Sequence, residues 1–202
     1  MNGGDSTLRV GRVVAVSAAQ VMVLLEKSFL ELHADQSAPI EVGSLAKVDT
    51  RVSTVYGMIS SLRVPLPAHT PSADDVKIVE LELLGETIHQ TEDRSEMFQR
   101  GVSVFPALDD PVYIASPEDL RNVYAPPKVA TVPIGSIHQD SGVPAYLLTD
   151  DLLGKHFSIV GTTGSGKSCA VTTILRSIIA GNPEAHMIII DSTRRIHFSL
   201  CE

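Results

Sequence analysis

The sequence predicts a small β-barrel followed by the opening strands and helix of an α/β nucleotide-phosphate domain, on three observations. Residues 8–105 consist of short runs rich in Val, Ile and Leu, separated by turn formers. Residues 106–133 are interrupted by Pro106, Pro111, Pro117, Pro126, Pro127 and Pro133, so no single regular element runs through them. Residues 134–202 shift to a helical apolar period and contain Gly161-Thr-Thr-Gly-Ser-Gly-Lys-Ser168, which fits the phosphate-loop pattern G-x-x-x-x-G-K-[ST].

In the first segment the predicted strands are Arg9 to Val16, Val21 to Leu25, Glu41 to Val48, Ser53 to Leu62 and Lys77 to Leu84. Gly11, Gly43, Gly57 and Gly85 fall where bends or bulges are expected. Five or six short strands without a long helix favour a closed barrel, because closure removes exposed edges. Pro65 to Asp75, with three prolines and two adjacent aspartates, reads as a solvated hairpin loop. In the proline-rich linker, Ser116-Pro-Glu-Asp119 has the order of a helix start: a serine cap, proline at the first helical position and an acid at the third. The helix is expected to end near Tyr124, before Pro126.

The third segment is predicted as strand, loop, helix, strand, with the two strands parallel. Phe157 to Val160 would lead into the loop, and Ala170, Val171, Ile174, Leu175, Ile178 and Ile179 would form one face of the helix beyond it. Gly181-Asn-Pro183 ends that helix, and Met187 to Ile190 reads as the second strand, ending in Asp191. A loop that joins a strand to a helix N-terminus can offer several backbone N–H groups to phosphate oxygens, aided by the helix dipole. The expected phosphate cradle is Gly161, Thr162, Thr163, Gly164, Ser165, Gly166, Lys167, Ser168 and Cys169. Within it, Lys167 supplies the point charge for the β- and γ-phosphates and the Ser168 hydroxyl a ligand for Mg²⁺. Asp191, at the carboxyl end of a strand beside the loop strand, is the second candidate for Mg²⁺ or its waters. The expected cofactors are therefore ATP and Mg²⁺.

His156-Phe-Ser-Ile-Val-Gly-Thr-Thr-Gly-Ser-Gly-Lys-Ser168, with Pro144-Ala-Tyr-Leu-Leu148 before it and Met187-Ile-Ile-Ile-Asp191 after it, resembles the HerA branch of the HerA/FtsK ATPases. The resemblance is strong over residues 125–191. It reaches the first hundred residues through their barrel-like architecture and through Gly101-Val-Ser-Val-Phe-Pro-Ala-Leu108, which looks like the end of the family's barrel. It implies a barrel at residues 8–105, a linker at 106–133 and, from 134, the first βαβ unit of a RecA-like domain. It further implies a hexameric, ATP-driven DNA translocase or helicase, with a nuclease or other effector as a possible partner class.

After Asp191 the chain departs from the family. Many relatives continue with a D-P-x-x-E-Y-like turn, whereas this chain has Asp191-Ser-Thr-Arg-Arg-Ile-His197. A one-base insertion after the Asp191 codon would convert such a turn into these residues; a divergent terminus is the alternative. Only 34 residues follow Ser168, fewer than the further βα units of a P-loop sheet require. The expectation is a truncated product, poor or inactive as an ATPase because its catalytic acid and partner arginine lie elsewhere. A non-catalytic nucleotide-binding or assembly module is the rival reading.

Composition limits the remaining classes. The net charge is −8, and residues 1–105 carry 9 basic against 14 acidic groups, so neither half has the basic footprint of a solitary nucleic-acid-binding domain. The seven histidines and two cysteines have no zinc-ligand spacing. No 18-residue apolar run is present for a membrane helix, and the run after Arg9 and Arg12 lacks a signal-peptide cleavage site. A cytoplasmic protein with no membrane partner is expected.

Overall fold

The computed structural model describes residues 9–32, 40–64, 76–89, 97–184 and 186–190 of the 202-residue chain. The loop expected at Pro65 to Asp75 and everything from Asp191 onward, including the departing tail, lie outside the described residues. The chain divides into two compact units, Met1–Val123 and Tyr124–Glu202.

The first unit is a closed antiparallel barrel. Its strands are β1 (Arg9–Val16), β2 (Gln20–Leu25), β3 (Leu45–Asp49), β4 (Ser53–Arg63), β5 (Ile78–Ile88) and β7 (Pro111–Ile114). Around the barrel the order is β2-β1-β7-β3-β4-β5, and β5 pairs back to β2, so these six strands leave no edge between first and last. A short strand β6 (Phe98–Arg100) pairs with the far end of β5. Alternate side chains face inward and fill the interior, among them Val13, Val21, Val23, Val48, Ile59, Leu81 and Val112. A six-residue helix α1 (Lys27–Leu32) follows β2 and adds the buried ring of Phe29 to that core.

The curvature of the barrel explains its glycines. β4 shifts register against β5 between Tyr56 and Gly57, and β1 shifts against β7 between Arg9 and Gly11. A Cβ on Gly11 would lie 2.2 Å from the Leu24 carbonyl oxygen, and one on Gly85 would lie 2.1 Å from that of Gln99. At both places neighbouring backbones come closer than a side chain allows.

Several boundaries differ from the sequence expectation, and β5 runs on past Leu84 to Ile88. Glu41 to Ser44 forms a turn, with Gly43 at φ 94° and the Ser44 amide donating to Glu41, so β3 begins only at Leu45. The sixth barrel strand, β7, lies inside the stretch read as linker. Pro111 misled that reading, yet it occupies the first position of the strand, where its missing N–H costs no interior ladder bond.

Helix α2 (Pro117–Val123) begins as its sequence predicts. The Asp119 amide donates to Ser116 Oγ at 3.1 Å and the Ser116 amide to Asp119 Oδ2 at 2.7 Å, a reciprocal capping box. Asp119 also receives Lys47 Nζ at 2.8 Å and the Tyr56 hydroxyl at 3.0 Å, which ties α2 to β3 and β4. Burial alone would raise the Asp119 pKa, but the Lys47 ammonium and the Ser116 donors outweigh it and hold the carboxyl below the ordinary aspartate range. Burial, with the Asp119 charge beside it, pushes the Tyr56 phenol up, so Tyr56 stays a donor.

A second buried carboxylate pins the loop after β6. Glu86 is 3% exposed, and its Oε1 accepts from the Ser103 amide at 2.8 Å and from the Ser103 hydroxyl. Burial pushes its pKa up, and the Ser103 donors, with weaker help from Ser53 and the Val104 amide, bring it below the ordinary glutamate value.

The second unit contains a hairpin of β8 (Thr131–Ser136) and β9 (Pro144–Leu148), the short helix α3 (Thr149–Leu153) and the long helix α4 (Lys167–Gly181). Pro133 is accommodated where β8 shifts register against β9, between Pro133 and Gly135. Strands followed by a helix are present here, but the strand is not the one expected and the parallel pair is not formed: Phe157 to Val160 and Met187 to Ile190 form no sheet ladder among the described residues. A parallel pair this short needs sheet neighbours and covered faces. Val160, Ile188 and Ile190 are instead 85%, 91% and 91% exposed.

Candidate nucleotide-phosphate site

The phosphate-loop residues lie together between His156 to Val160 and the first turn of α4. Local backbone chemistry dictates the loop's shape. Gly164 and Gly166 adopt φ 83° and 85°, a left-handed conformation that costs any residue with a Cβ. The Ser165 amide donates to the Thr162 carbonyl at 3.2 Å and closes the turn between them. Gly161 is crowded: a Cβ there would lie 2.6 Å from Ser165 Oγ.

Gly166 is the N-cap of α4, and no side chain caps the helix. The first intrahelical bond runs from the Ala170 amide to the Gly166 carbonyl at 2.9 Å. The amides of Lys167, Ser168 and Cys169 precede that bond and have no i−4 carbonyl within the helix. Thr162, Thr163, Ser165, Ser168 and Cys169 are exposed, so the loop faces solvent. Lys167 Nζ donates to the Thr162 carbonyl, which folds the lysine side chain back across the loop. Uncapped amides at the positive end of a 15-residue helix, beside a lysine ammonium, form a donor set suited to an anion.

The support behind the loop differs in part from the predicted helix face. Ile178 is buried, but Ile179 is 44% exposed, while Thr172, outside the predicted stripe, is 1% exposed. Its hydroxyl donates to the Ser168 carbonyl at 2.9 Å, which makes a polar side chain acceptable there. At the other end, Gly181 lies against the buried Val132 of β8; a Cβ on Gly181 would meet Val132 Cγ1 at 3.3 Å. The predicted stop operates through Asn182, whose amide and side-chain Nδ2 both donate to the Ile178 carbonyl, at 2.9 and 3.1 Å. Sequence reasoning missed both Thr172 and β8. The Ser/Thr at an i, i+4 spacing from Ser168 was the available signal for the first.

Of the two candidate Mg²⁺ ligands, Ser168 stands on the first turn of α4 and Asp191 lies outside the described residues. Among the described residues no group of three His, Cys, Asp or Glu side chains is placed to hold a metal ion. His156 is exposed. No helix among the described residues is long and apolar enough to cross a membrane.

A search of curated proteins finds no match for the chain. Residues 132–194 match the family model described as the central domain of helicase HerA. The matched span starts in β8, contains the whole phosphate loop and α4, and follows a closed six-strand barrel. A closed barrel ahead of a region similar to that central domain fits a HerA-like protein, with the likeness carried by residues 132–194.

Proposed function

We propose that the chain is the nucleotide-holding part of an ATP-driven DNA translocase or helicase subunit, with the loop 161–169 as its triphosphate cradle. The observation that carries this reading is the pair of left-handed glycines leading into an uncapped helix N-terminus, with Lys167 at its first position. Gly164 and Gly166 let the backbone turn its amides toward one point. The amides of Lys167, Ser168 and Cys169 donate to phosphate oxygens, and Lys167 exchanges the Thr162 carbonyl for the β- and γ-phosphates. The Ser168 hydroxyl, and Asp191 in the same role, would hold Mg²⁺, which when bound neutralises charge on the phosphates.

HerA-family proteins are generally oligomeric, and a hexamer is the assembly this reading takes. A ring suits an acidic chain that must grip DNA, since six copies of a few cations concentrate in one pore although the net charge is −8. A nuclease or other effector would couple to such a ring.

The test is Mg-ATP binding by calorimetry with the 202-residue chain. Lys167→Ala is expected to weaken binding about 10- to 100-fold, the value of one charge-assisted contact. Ser168→Ala should act mainly on the Mg²⁺ dependence. Equal affinity for wild type and Lys167→Ala would overturn the assignment of this loop.

A further inference from the structure

Among the described residues the buried polar side chains are Ser53, Glu86, Thr87, Thr149 and Thr172, and Glu86 alone of these can carry a charge. The pleat turns it into the barrel. Glu86 stands opposite Val55 in the β4–β5 ladder, and Val55 stands opposite Val48 of the core, so the three share the inner face. Ser53, two residues before Val55, lies on that face as well and is 0% exposed.

The Glu86 carboxylate is only half satisfied. Oε1 accepts from the Ser103 amide at 2.8 Å and from the Ser103 hydroxyl, whereas Oε2 is buried with no hydrogen-bond partner. No lysine, arginine or histidine among the described residues forms an ion pair with it. Asp119 shows how the same barrel treats a less deeply buried acid, with Lys47 Nζ 2.8 Å away. Neutral donors at Oε1 favour the ionised form of Glu86 but leave its negative charge uncompensated, and a buried charge without a counter-charge is costly. A water at Oε2 would complete the hydrogen bonding and leave the charge as it is. A cation there answers both needs.

The oxygens at this end select the kind of cation. Ser53 lies close enough to act on the Glu86 carboxylate. The Thr50 hydroxyl gives its one proton to the Ser53 carbonyl at 2.8 Å, so in its 3.2 Å contact with Ser53 Oγ it is the acceptor. With the Ser53 proton turned to Thr50, lone pairs of Ser53 Oγ are left for an ion beside Oε2. Carboxylate and hydroxyl oxygens suit hard ions. Calcium takes six to eight oxygens, several of them charged, and magnesium keeps its waters, so neither is served by one buried carboxylate and a serine. A monovalent ion balances the single charge of Glu86.

We infer that Glu86 Oε2 and Ser53 Oγ hold an alkali cation, sodium or potassium, at the end of the barrel closed by the loop after β6. The ion joins β4, through Ser53, to β5. The other carboxylate oxygen joins β5 to the loop at Ser103, so the stability of the barrel depends on alkali-metal salt. The inference is independent of the nucleotide reading and is tested without nucleotide.

Urea unfolding of the full chain, followed by its β-sheet circular dichroism, is compared in sodium, potassium and choline chloride at equal ionic strength, which separates binding from screening. At about 150 mM salt, a site of about 15 mM affinity lowers the unfolding constant about tenfold relative to choline. Broadening of the sodium NMR line by the folded chain reports binding directly. Glu86→Gln keeps the shape and removes the charge, and should abolish the salt difference and the broadening together. Ser53→Ala keeps the carboxylate and should weaken both; it carries the test if Glu86→Gln loses its β-sheet signal. Equal unfolding in the three salts without line broadening overturns the inference and leaves Oε2 to a water. An alkali effect that persists undiminished in the folded variants overturns it equally, since the ion then binds elsewhere.

Discussion

Asp119→Ala should be among the most damaging single changes in the barrel unit outside its apolar core. The carboxylate accepts from Lys47 Nζ at 2.8 Å, the Ser116 amide at 2.7 Å and the Tyr56 hydroxyl at 3.0 Å. The Lys47 and Asp119 side chains are only 14% and 12% exposed. Removing one member of a fully buried ion pair costs about 3–5 kcal/mol; the residual exposure lowers this, and the lost half of the capping box adds to it, which leaves about 3 kcal/mol. For a unit of about 120 residues the unfolding entropy is about 0.25 kcal/mol per kelvin, so the expected fall in Tm is about 12 °C. The assay is urea and thermal unfolding of the full chain followed by its β-sheet circular dichroism.

The pH dependence fixes the cause. The folded Asp119 pKa is lowered from 3.8, so its contribution is fully present above that value and disappears as pH falls through the folded pKa. The gap between wild type and Asp119→Ala should therefore be constant from pH 7 down to about 4 and shrink below it. A loss under about 1 kcal/mol at neutral pH, or a gap that stays constant into acid, would refute the view that a charged latch holds α2 to the barrel.

Glu86→Gln should cost about 2 kcal/mol by weakening the bonds from Ser103, and the deficit should likewise fade below the ordinary value of 4.5, since its folded pKa is lowered; chemical denaturation against pH measures both. Val112→Ala should cost about 2–3 kcal/mol, because Val112 is 1% exposed in the closing strand; an effect within about 0.5 kcal/mol would mean that β7 does not close the barrel. Gly166→Ala places a Cβ at φ 85°, and its strain of about 1–2 kcal/mol should appear as roughly tenfold weaker Mg-ATP binding with the barrel's melting unchanged.

The turn that leads into α4 was legible because its determinants are local. Three glycines, a lysine and a serine at fixed spacing specify the turn, and Gly181-Asn-Pro183 specifies the helix end, without reference to any distant residue. The strands β1, β2, β4 and β5 were legible for a similar reason: each is a local run rich in Val, Ile and Leu bounded by turn formers, and β2 also alternates buried with less buried residues. What escaped depends on pairing across the chain. β7 has four residues and starts with a proline, so nothing local distinguishes it from a linker; it becomes a strand because Val112 pairs with Gly11 on one side and Val48 on the other and fills the last gap in the core. β8 is hidden in the same way by Pro133 and Gly135, and is fixed only by β9 across it and α4 above Val132. The opposite failure occurs at Phe157 to Val160 and Met187 to Ile190, where strand-forming composition is strong and the ladder is absent. Composition states what a segment can bury, and pairing requires something to bury it against.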